Sequence, residues 1–186
     1  MEKDKEKSSL RKLLLERRDN LSADFMNIAS KQIRKNLKKI DSYKSAQTVA
    51  CYYSIGSEVK TQDIMQEVLS EGKTLALPKI VNNTLVFCSV KKFEDLEKGE
   101  FGIMEPKQNC SVVNKFDVIL VPTVAMTRTG QRLGYGKGFY DRFLSDKNTT
   151  SVALTYSKLV VKNIPRSDND ISIQWIVTED EVIKTS

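Results

Sequence analysis

A glycine-rich segment constrains this chain more than any other feature of its sequence. Residues 130–142 read GQRLGYGKGFYDR and contain four of the chain's eight glycines. Glycine loses the most conformational entropy on folding, so such a cluster needs a local reason. A backbone that approaches an anion closely provides one, because its amide groups then point at the ligand while Lys137 and Arg132 supply positive charge. The segment therefore predicts a loop that binds phosphate groups.

The sequence on either side of this segment supports that interpretation. An apolar, strand-like run, DVILVP, occupies residues 117–122 and ends at a proline. After the glycines, apolar residues at 139, 140, 143 and 144 share one face of a helix. A strand, a connection, a glycine-rich loop and a helix start form the usual geometry for phosphate binding. The alternative is a long flexible loop, which the interleaved charges and aromatic rings disfavour.

Two common nucleotide-binding motifs are excluded. A P-loop requires Gly-Lys-Ser/Thr at its end, whereas Gly138 follows Lys137 here. The dinucleotide fingerprint requires Gly-x-Gly-x-x-Gly, but the spacing here is Gly-x-Gly-x-Gly. A nucleotide would therefore bind through a different loop.

Length and composition indicate one globular domain over residues 1–186. With 40% apolar and 29% charged residues, a chain of 186 residues can bury a core without a structural metal. The sequence has no apolar run of about 18 residues, which argues against a membrane protein. Its charged N-terminus also lacks the apolar core of a secretion signal. We therefore expect a cytoplasmic location.

The cysteine and histidine content excludes several kinds of site. The three cysteines form no Cys-x-x-Cys pair and the chain has no histidine, which argues against a zinc site and excludes Ser-His-Asp catalysis. Chemistry would have to use carboxylates, lysine, arginine, tyrosine, backbone amides or a bound metal. Cys51 and Cys88 lie in apolar, strand-like runs, and we expect both to be buried thiols.

The net charge of +6 leaves the class of ligand open. Lysine and arginine are dense in the first 39 residues, and a basic helical hairpin there can bind RNA. Such charges more often form a solvated helix face, and no aromatic-rich strand of an RNA-binding module is evident. RNA binding is thus a minor alternative, and we expect no nucleic-acid partner.

Periodicity and turn residues predict alternating helices and strands. Helices are expected at 3–19, from 22 to about 40, between Thr61 and Gly72, weakly at 93–99, and at 139–145. Strands are expected at 48–53, 74–77, 85–90, 117–122, 151–156 and 171–178. We expect N-caps at Ser22 and Thr61, a helix end at Gly72, a strand end at Pro78 and a turn at Asn82 and Asn83.

This alternation predicts an α/β fold of three layers. A mostly parallel, Rossmann-like central sheet would carry helices on both faces, with ligands bound at the carboxyl ends of its strands. In the first helix, the residues expected on or near one face are Leu10, Leu13, Leu14 and Arg17. In the second, the residues expected to face inward are Phe25, Ile28, Ala29, Ile33 and Leu37.

The segment from Arg132 to Arg142 resembles the signature of the 5-formyltetrahydrofolate cyclo-ligase family, also called methenyltetrahydrofolate synthetases. The resemblance extends over nearly the whole chain. It includes Lys7-x-x-x-Arg11, Tyr53 to Glu58, Gly102 to Pro106, the Val-Pro before the loop, Ile164-Pro165, Asp170 and the Val-Thr-Glu at 177–179. The glycine-loop motif is highly specific, whereas the Lys-x-x-x-Arg pair gains weight only from its place in this order.

The chain departs from the family pattern in three places. Met126-Thr127 stands where the family commonly has Phe-Asp, and Asn169-Asp170 stands where it often has His-Asp. Thr123 replaces the glycine that usually follows Val-Pro. The change at Thr127 bears on loop support or metal coordination, and none of the three touches the glycine-loop signature.

The resemblance implies an enzyme that closes a ring with the help of ATP. It would convert 5-formyltetrahydrofolate to 5,10-methenyltetrahydrofolate, releasing ADP and phosphate, after the formyl oxygen has attacked the γ-phosphate. Phosphoryl transfer needs positioning and charge neutralisation more than a protein nucleophile, so the missing histidine is no obstacle. The alternative from the same fold is a nucleotide- or folate-binding protein without turnover.

The resemblance also implies roles for the matching residues. ATP would be bound by Lys7, Arg11, Arg132, Leu133, Gly134, Tyr135, Gly136, Lys137, Gly138, Phe139 and Tyr140. Lys137 and Arg132 would be catalytic, with Lys137 stabilising charge on the transferring group. Carboxylates suit Mg²⁺, which would be held by Asp141 and Asp170. The folate would contact Tyr53, Glu58, Tyr135 and Phe139, with Glu58 at the polar edge of the pterin.

Each of these roles has a structural alternative. Lys7 and Arg11 are otherwise surface charges of a helix, and Asp141 is a first-turn charge favoured by the helix dipole. Asp170 would otherwise cap a turn. Tyr53 and Phe139 would be core aromatics, and Glu58 a solvated loop acid. The expected partners are the two small-molecule substrates, and the expected assembly is a monomer or weak dimer.

Overall fold

The secondary structure alternates between helices and short strands in a computed structural model that describes residues 2–99, 102–146 and 148–185. The helices are α1 (Glu2–Asp19), α2 (Ala23–Leu37), α3 (Asp41–Ser45), α4 (Gln62–Ser70) and α5 (Phe139–Leu144). The strands are β1 (Thr48–Ala50), β2 (Thr74–Val81), β3 (Thr84–Val90), β4 (Leu96–Lys98), β5 (Met104–Pro106), β6 (Val112–Val113), β7 (Val118–Val121), β8 (Ala125–Thr127), β9 (Arg132–Leu133), β10 (Thr150–Leu154), β11 (Val160–Val161), β12 (Trp175–Val177) and β13 (Val182–Lys184).

The central sheet has eight strands in the order β13-β12-β10-β7-β1-β2-β3-β6. The five strands from β12 to β2 are parallel, and β13 on one side and β3 and β6 on the other are antiparallel to their neighbours. Two smaller sheets, β11-β8-β9 and β4-β5, accompany it. The expectation of a mostly parallel sheet is confirmed.

Helices cover both faces of this sheet. Because successive side chains of a strand point to opposite faces, β7 contributes Val118 and Leu120 to one core and Ile119 and Val121 to the other. The first core contains buried residues of α1 to α4, among them Leu14, Ala29, Ile33, Leu37, Tyr43, Ile64, Met65 and Val68. The second core contains Leu144 of α5. The three-layer arrangement is therefore also confirmed.

Most of the expected helix caps and turns are present. The Ser22 hydroxyl accepts a hydrogen bond from the Phe25 amide at 3.2 Å and so caps α2. Gly72, with φ +71°, ends α4, and Asn82 and Asn83 both adopt positive φ in the turn between β2 and β3. Thr61 occupies the N-cap position of α4 but makes no capping bond, because its hydroxyl donates to the Tyr52 carbonyl at 2.6 Å.

Several expected element boundaries are wrong, among them those of the strands expected at 48–53 and 171–178, which cover only Thr48–Ala50 and Trp175–Val177. The strand expected to end at Pro78 continues to Val81, since the β1 ladder ends at Ala76 and Pro78 lies beyond it, paired only with β3. The weak helix expected over 93–99 is a single 3₁₀ turn, Phe93–Asp95, followed by strand β4. The Asp95 carboxylate caps the start of that turn by accepting from the amides of residues 91 and 92.

The shared face expected for the first helix and the inward face expected for the second both need correction. In α1, Leu13 is 61% exposed and Arg17 is exposed, whereas Leu14 and Arg18 are buried. In α2, Ile28 is 70% exposed, although Ala29, Ile33 and Leu37 are buried as expected. Within the described residues, no helix is both long and apolar enough to span a bilayer.

The cysteines do not all behave as expected. Cys51 is a buried free thiol, as predicted. Cys88 is also buried, but it forms a disulfide with Cys110, so the expectation of a free thiol there is wrong. Strand β3 pairs with β6 so that Cys88 lies opposite Val112. This pairing brings Cys110 close to Cys88, with the Cα atoms of the two cysteines 5.5 Å apart.

Candidate active site

The candidate active site lies where the parallel strands of the sheet end. The loops that follow the carboxyl ends of β1, β7 and β10 carry Glu58, Thr123 and Thr155, which line one narrow recess together with Arg18. Open α/β sheets bind ligands at this edge. The hairpin of β8 and β9 then leads from β7 into the glycine loop and α5.

Helix α1 presents one continuous stripe to this edge. Lys7, Arg11, Leu14 and Arg18 follow each other at intervals of three or four residues, so they lie on one helical face. The Lys7 ammonium donates to the Ser167 hydroxyl at 3.0 Å and forms a salt bridge with Asp170. Arg11 Nε donates to the Gly134 carbonyl at 2.7 Å. The helix thereby fastens the glycine loop and the segment around residue 170 to the same surface.

Arginine side chains pack directly on the bare backbone of the glycine loop. Gly136, at φ +97°, lies so close to Arg11 that an added Cβ would be 3.3 Å from the guanidinium carbon. A Cβ on Gly134 would lie 2.5 Å from Nη1 of Arg132. The side chains nearest to these two glycines are therefore cationic, and the approach of an anion to their backbone, which the sequence predicts, stays a prediction.

Arg132 is the most buried cation of the loop, and its side chain is 5% exposed. Its Nη2 donates to Asp141 Oδ2 at 2.7 Å, and its Nη1 donates to the Pro122 carbonyl at 3.2 Å. The guanidinium lies 5.9 Å from the ring centroid of Tyr140. Among the described residues, buried Arg132 Nε and the buried Tyr140 hydroxyl have no hydrogen-bond partner. Such groups require a ligand or water, so both fit a binding site.

The two aspartates proposed as metal ligands lie in adjacent segments. Asp141 Oδ1 accepts from the Ile171 amide at 3.3 Å, next to Asp170. Each carboxylate is held by a cation, Asp141 by Arg132 and Asp170 by Lys7. In the described ranges, no group of three or more His, Cys, Asp or Glu residues is placed to hold a metal by itself.

Glu58 belongs to a buried hydrogen-bond network and is therefore not a solvated loop acid. Only 5% of it is exposed. Its Oε1 accepts from the Tyr135 hydroxyl, and its Oε2 accepts from the Ile55 amide at 2.8 Å. Burial raises the pKa of Glu58, while its hydrogen bonds and the charge of Arg18 oppose that rise. Burial and the Glu58 charge also raise the pKa of Tyr135, which therefore acts as a hydroxyl donor.

The remaining residues of the expected site differ in exposure. Lys137 is exposed on the loop, and its carbonyl accepts from Arg142 at 3.0 Å. Tyr53 is half-buried against the first core, and Phe139 packs against the second. Leu133 is 1% exposed as a whole residue, and its carbonyl accepts from the Val124 amide at 2.8 Å and from the Thr123 hydroxyl at 3.2 Å, so the structure does not place Leu133 where it could contact ATP.

The departures at Thr123 and Thr127 have structural roles in the hairpin before the loop. The Thr127 hydroxyl accepts from the Gln131 amide at 3.1 Å and bonds Thr129 at 2.9 Å, which closes the turn between β8 and β9. The Thr123 hydroxyl donates to the carbonyls of Ala125 and Leu133. Both side chains therefore support the start of the glycine loop.

Arg18 is the main residue of this site that sequence reasoning missed. It is 5% exposed and donates to the Ser57 hydroxyl at 2.9 Å and to the Thr123 carbonyl at 3.2 Å. The sequence spacing could have identified Arg18, because it lies seven residues after Arg11 and therefore two helical turns along the same face of α1. It was obscured by the neighbouring Arg17, which points to solvent.

Comparisons with known proteins show what this chain is similar to. The 5-formyltetrahydrofolate cyclo-ligase of Haemophilus influenzae is 30% identical over 165 residues, covering 84% of this chain and 88% of the relative. The enzyme of that name from Escherichia coli K12 is 32% identical over 146 residues, covering 74% and 80%. The solved structure of Aquifex aeolicus 5,10-methenyltetrahydrofolate synthetase superposes with a TM-score of 0.86 at 39% identity, covering 96% of this chain and 92% of that one.

A sequence profile of one protein family matches nearly the entire chain. The profile described as the 5-formyltetrahydrofolate cyclo-ligase family matches residues 3–179. This range includes the stripe of α1, the glycine loop, both aspartates and Glu58. The chain therefore belongs to the 5-formyltetrahydrofolate cyclo-ligase family.

Proposed function

We propose that this protein catalyses the ATP-dependent cyclisation of 5-formyltetrahydrofolate to 5,10-methenyltetrahydrofolate, with release of ADP and phosphate. The observation that carries the proposal is the packing of Arg11 and Arg132 on the glycine loop at the carboxyl edge of the sheet, with Lys7 on the same face of α1 as Arg11. Arg11 and Arg132 are distant in sequence and both contact the loop, while Lys7 binds Ser167 and Asp170 in the neighbouring segment. They provide the charge and positioning that phosphoryl transfer requires.

The chemistry places distinct demands on the two ends of the site. The formyl oxygen attacks the γ-phosphorus as the bond to ADP breaks, and N10 then attacks the formyl carbon and loses its proton. The carbon–oxygen bond to the phosphate breaks last. Lys137 and Arg132 would offset the negative charge on the transferring group. Glu58 would hold the polar edge of the pterin, with Tyr53, Tyr135 and Phe139 along the folate and the remaining loop residues except Leu133 along ATP.

The carboxylates of Asp141 and Asp170 fit a magnesium ion that is shared with the nucleotide. Mg²⁺ favours a few carboxylate ligands together with phosphate oxygens and water. When bound, it would neutralise charge on the phosphates. Both carboxylates now pair with the cations expected to bind those phosphates. Binding of the nucleotide would therefore draw Lys7 and Arg132 away and leave both carboxylates available.

The assay that tests this function is direct. Purified protein mixed with magnesium, ATP and 5-formyltetrahydrofolate should produce the near-ultraviolet absorbance of the methenyl product, together with ADP. Nucleotide and folate binding without that absorbance would favour the binding protein without turnover. RNA affinity that falls steeply with salt, with no effect of folate, would favour the RNA-binding alternative.

Lys137 provides a sharper test within the same assay. Lys137→Ala should lower turnover by at least about a hundredfold, as expected for loss of one contact to the charge of the transition state. Lys162, an exposed lysine after β11, offers the matched control, and Lys162→Ala should leave turnover unchanged. A folded Lys137→Ala enzyme with normal turnover would remove Lys137 from the catalytic group.

The setting of the enzyme belongs to the same proposal. Residues 1–186 would act as one domain, since one eight-stranded sheet connects segments from β1 to β13. The protein would work in the cytoplasm, where ATP is available, as a monomer or weak dimer. Light scattering across a concentration series measures the assembly, and a stable higher oligomer would contradict that part.

A further inference from the structure

Arg18 connects four separate parts of the molecule at the folate side of the site. From α1, it donates to Ser57 in the loop after β1 and to the Thr123 carbonyl after β7. Its Nη1 also donates to the Tyr135 hydroxyl in the glycine loop at 2.9 Å. An arginine that is 5% exposed and satisfied by three segments holds those segments in fixed relative positions.

Tyr135 connects Arg18 to Glu58 through hydrogen bonds of its hydroxyl. Its ring is 43% exposed, but its hydroxyl points inward, accepts from Arg18 and donates to Glu58 Oε1. The other carboxylate oxygen of Glu58 is occupied by the Ile55 amide. The Arg18 guanidinium also lies 5.7 Å from the centroid of the Tyr135 ring. The rotamer of the acid thus depends on a tyrosine that the arginine holds in place.

We propose that Arg18 is a positioning residue of the ring-closing reaction, which holds the Tyr135 hydroxyl against Glu58. The glycine loop and the acid that faces the folate then form one rigid unit. The inference rests on the proposed function, since it assigns Glu58 to the folate. It concerns formylfolate more than ATP, because the Arg18 contacts lie on the Glu58 side of the loop.

The arrangement also predicts a change in pH dependence. The ionisable groups around Glu58 are Arg18 from α1, Lys60 from its own loop, Tyr52 after β1, Tyr135 from the glycine loop, Tyr140 from α5 and Tyr156 after β10. Arg18 and Lys60 favour the carboxylate, whereas burial disfavours it. Removing the Arg18 charge therefore raises the pKa of Glu58. On acidification, Glu58 then becomes protonated at a higher pH than in the wild type, and folate binding is lost at that higher pH.

The experiment compares Arg18→Met with Arg17→Met, its exposed neighbour on the same helix. We expect Arg18→Met to lower kcat/KM for 5-formyltetrahydrofolate about tenfold or more, as for lost hydrogen bonds to a charged group. KM for ATP should change little, and the acid limb of the pH profile should move to higher pH. Arg18→Lys should restore the pH profile in part, because it retains the charge. Arg17→Met should match the wild type.

Tyr135→Phe provides a second test that spares the fold, since it removes only a hydroxyl at a partly exposed ring. It should lower kcat/KM for the folate and shift the acid limb in the same direction. Adding it to Arg18→Met should cause little further loss, because both changes break one network. If Arg18→Met does not fold, Tyr135→Phe decides alone.

Failure of the inference is distinguishable from failure of the proposed function. A wild-type protein that binds ATP and folate but forms no methenyl product refutes the proposed function. An active wild type, with folded variants that keep its folate kcat/KM and pH profile, refutes the positioning role alone. Additive losses in the double variant would also refute it, since they would show that Arg18 and Tyr135 act separately.

Discussion

Gly134 and Gly136 each lie so close to an arginine side chain that a larger residue would crowd it. Gly134 and Gly136 leave space that the guanidinium groups of Arg132 and Arg11 occupy. The sequence predicted that an anion approaches this backbone closely, which stays a prediction. The family resemblance grouped Arg11 and Arg132 with these glycines at the ATP site, but the direct packing of the guanidinium groups on the glycines depends on how distant segments pack.

Gly136→Ala is expected to weaken nucleotide use specifically. At φ +97° any side chain is strained, at a cost of about 1–2 kcal/mol, and the new methyl group would displace Arg11. We therefore expect a higher KM for ATP, with little change in KM for 5-formyltetrahydrofolate. Steady-state kinetics with each substrate varied in turn measures both.

Gly72→Ala is the matched control for backbone strain. Gly72 has φ +71° at the end of α4, and an added Cβ meets nothing within 4 Å. It should lower stability by a similar amount while leaving the kinetics unchanged. Equal KM values for ATP in the two variants would show that Gly136 has no specific role in nucleotide use.

Elements with a clear period were predictable, and short ones were not. Helices α1, α2 and α4 have enough turns for their apolar positions to repeat, and β7 is a continuous apolar run. Strands β8, β9 and β11 have two or three residues each, too few to show alternation. They are defined by tertiary pairing, and so the hairpin that supports the glycine loop could not be found from the sequence.

The disulfide between Cys88 and Cys110 was missed for the same reason. Only the pairing of β3 with β6 brings the two cysteines together, and β6 is two residues long. The cytoplasm, which is the location proposed for this protein, is reducing and disfavours such bonds. The oxidised and reduced forms of the protein are therefore both relevant to its stability.

Reduction should lower stability without changing the reaction. The bond joins the antiparallel edge of the sheet, whereas the site lies at the ends of the parallel strands. Loss of a native disulfide typically costs about 2–4 kcal/mol. Thermal melts of the wild type with and without reductant should differ, whereas Cys110→Ser should melt alike in both. A large loss of kcat in reduced protein would show that this edge is coupled to the site.

At the scale of the whole molecule, charge balance couples magnesium to the nucleotide. Lys7–Asp170 and Arg132–Asp141 join α1, the hairpin, α5 and the segment near residue 170. A metal ion alone would leave Lys7 and Arg132 without their carboxylates, and a nucleotide alone would leave both carboxylates unpaired. Each ligand should therefore bind weakly alone and more tightly when the other is present, and this coupling is reciprocal.

Thermal melts test this coupling without any turnover. With a non-hydrolysable ATP analogue at about a hundred times its Kd, magnesium and analogue together should stabilise the fold by about 2.7 kcal/mol. For a domain of this size, that corresponds to about 5–10 °C in Tm. Magnesium alone should change Tm little, and the analogue alone should raise it less than the pair. Asp141→Asn should abolish the increment from magnesium, whereas Asn at the exposed Asp41 should preserve it. Equal increments with and without Asp141 would place the ion elsewhere, and additive shifts from the two ligands would show that the ion pairs do not link them.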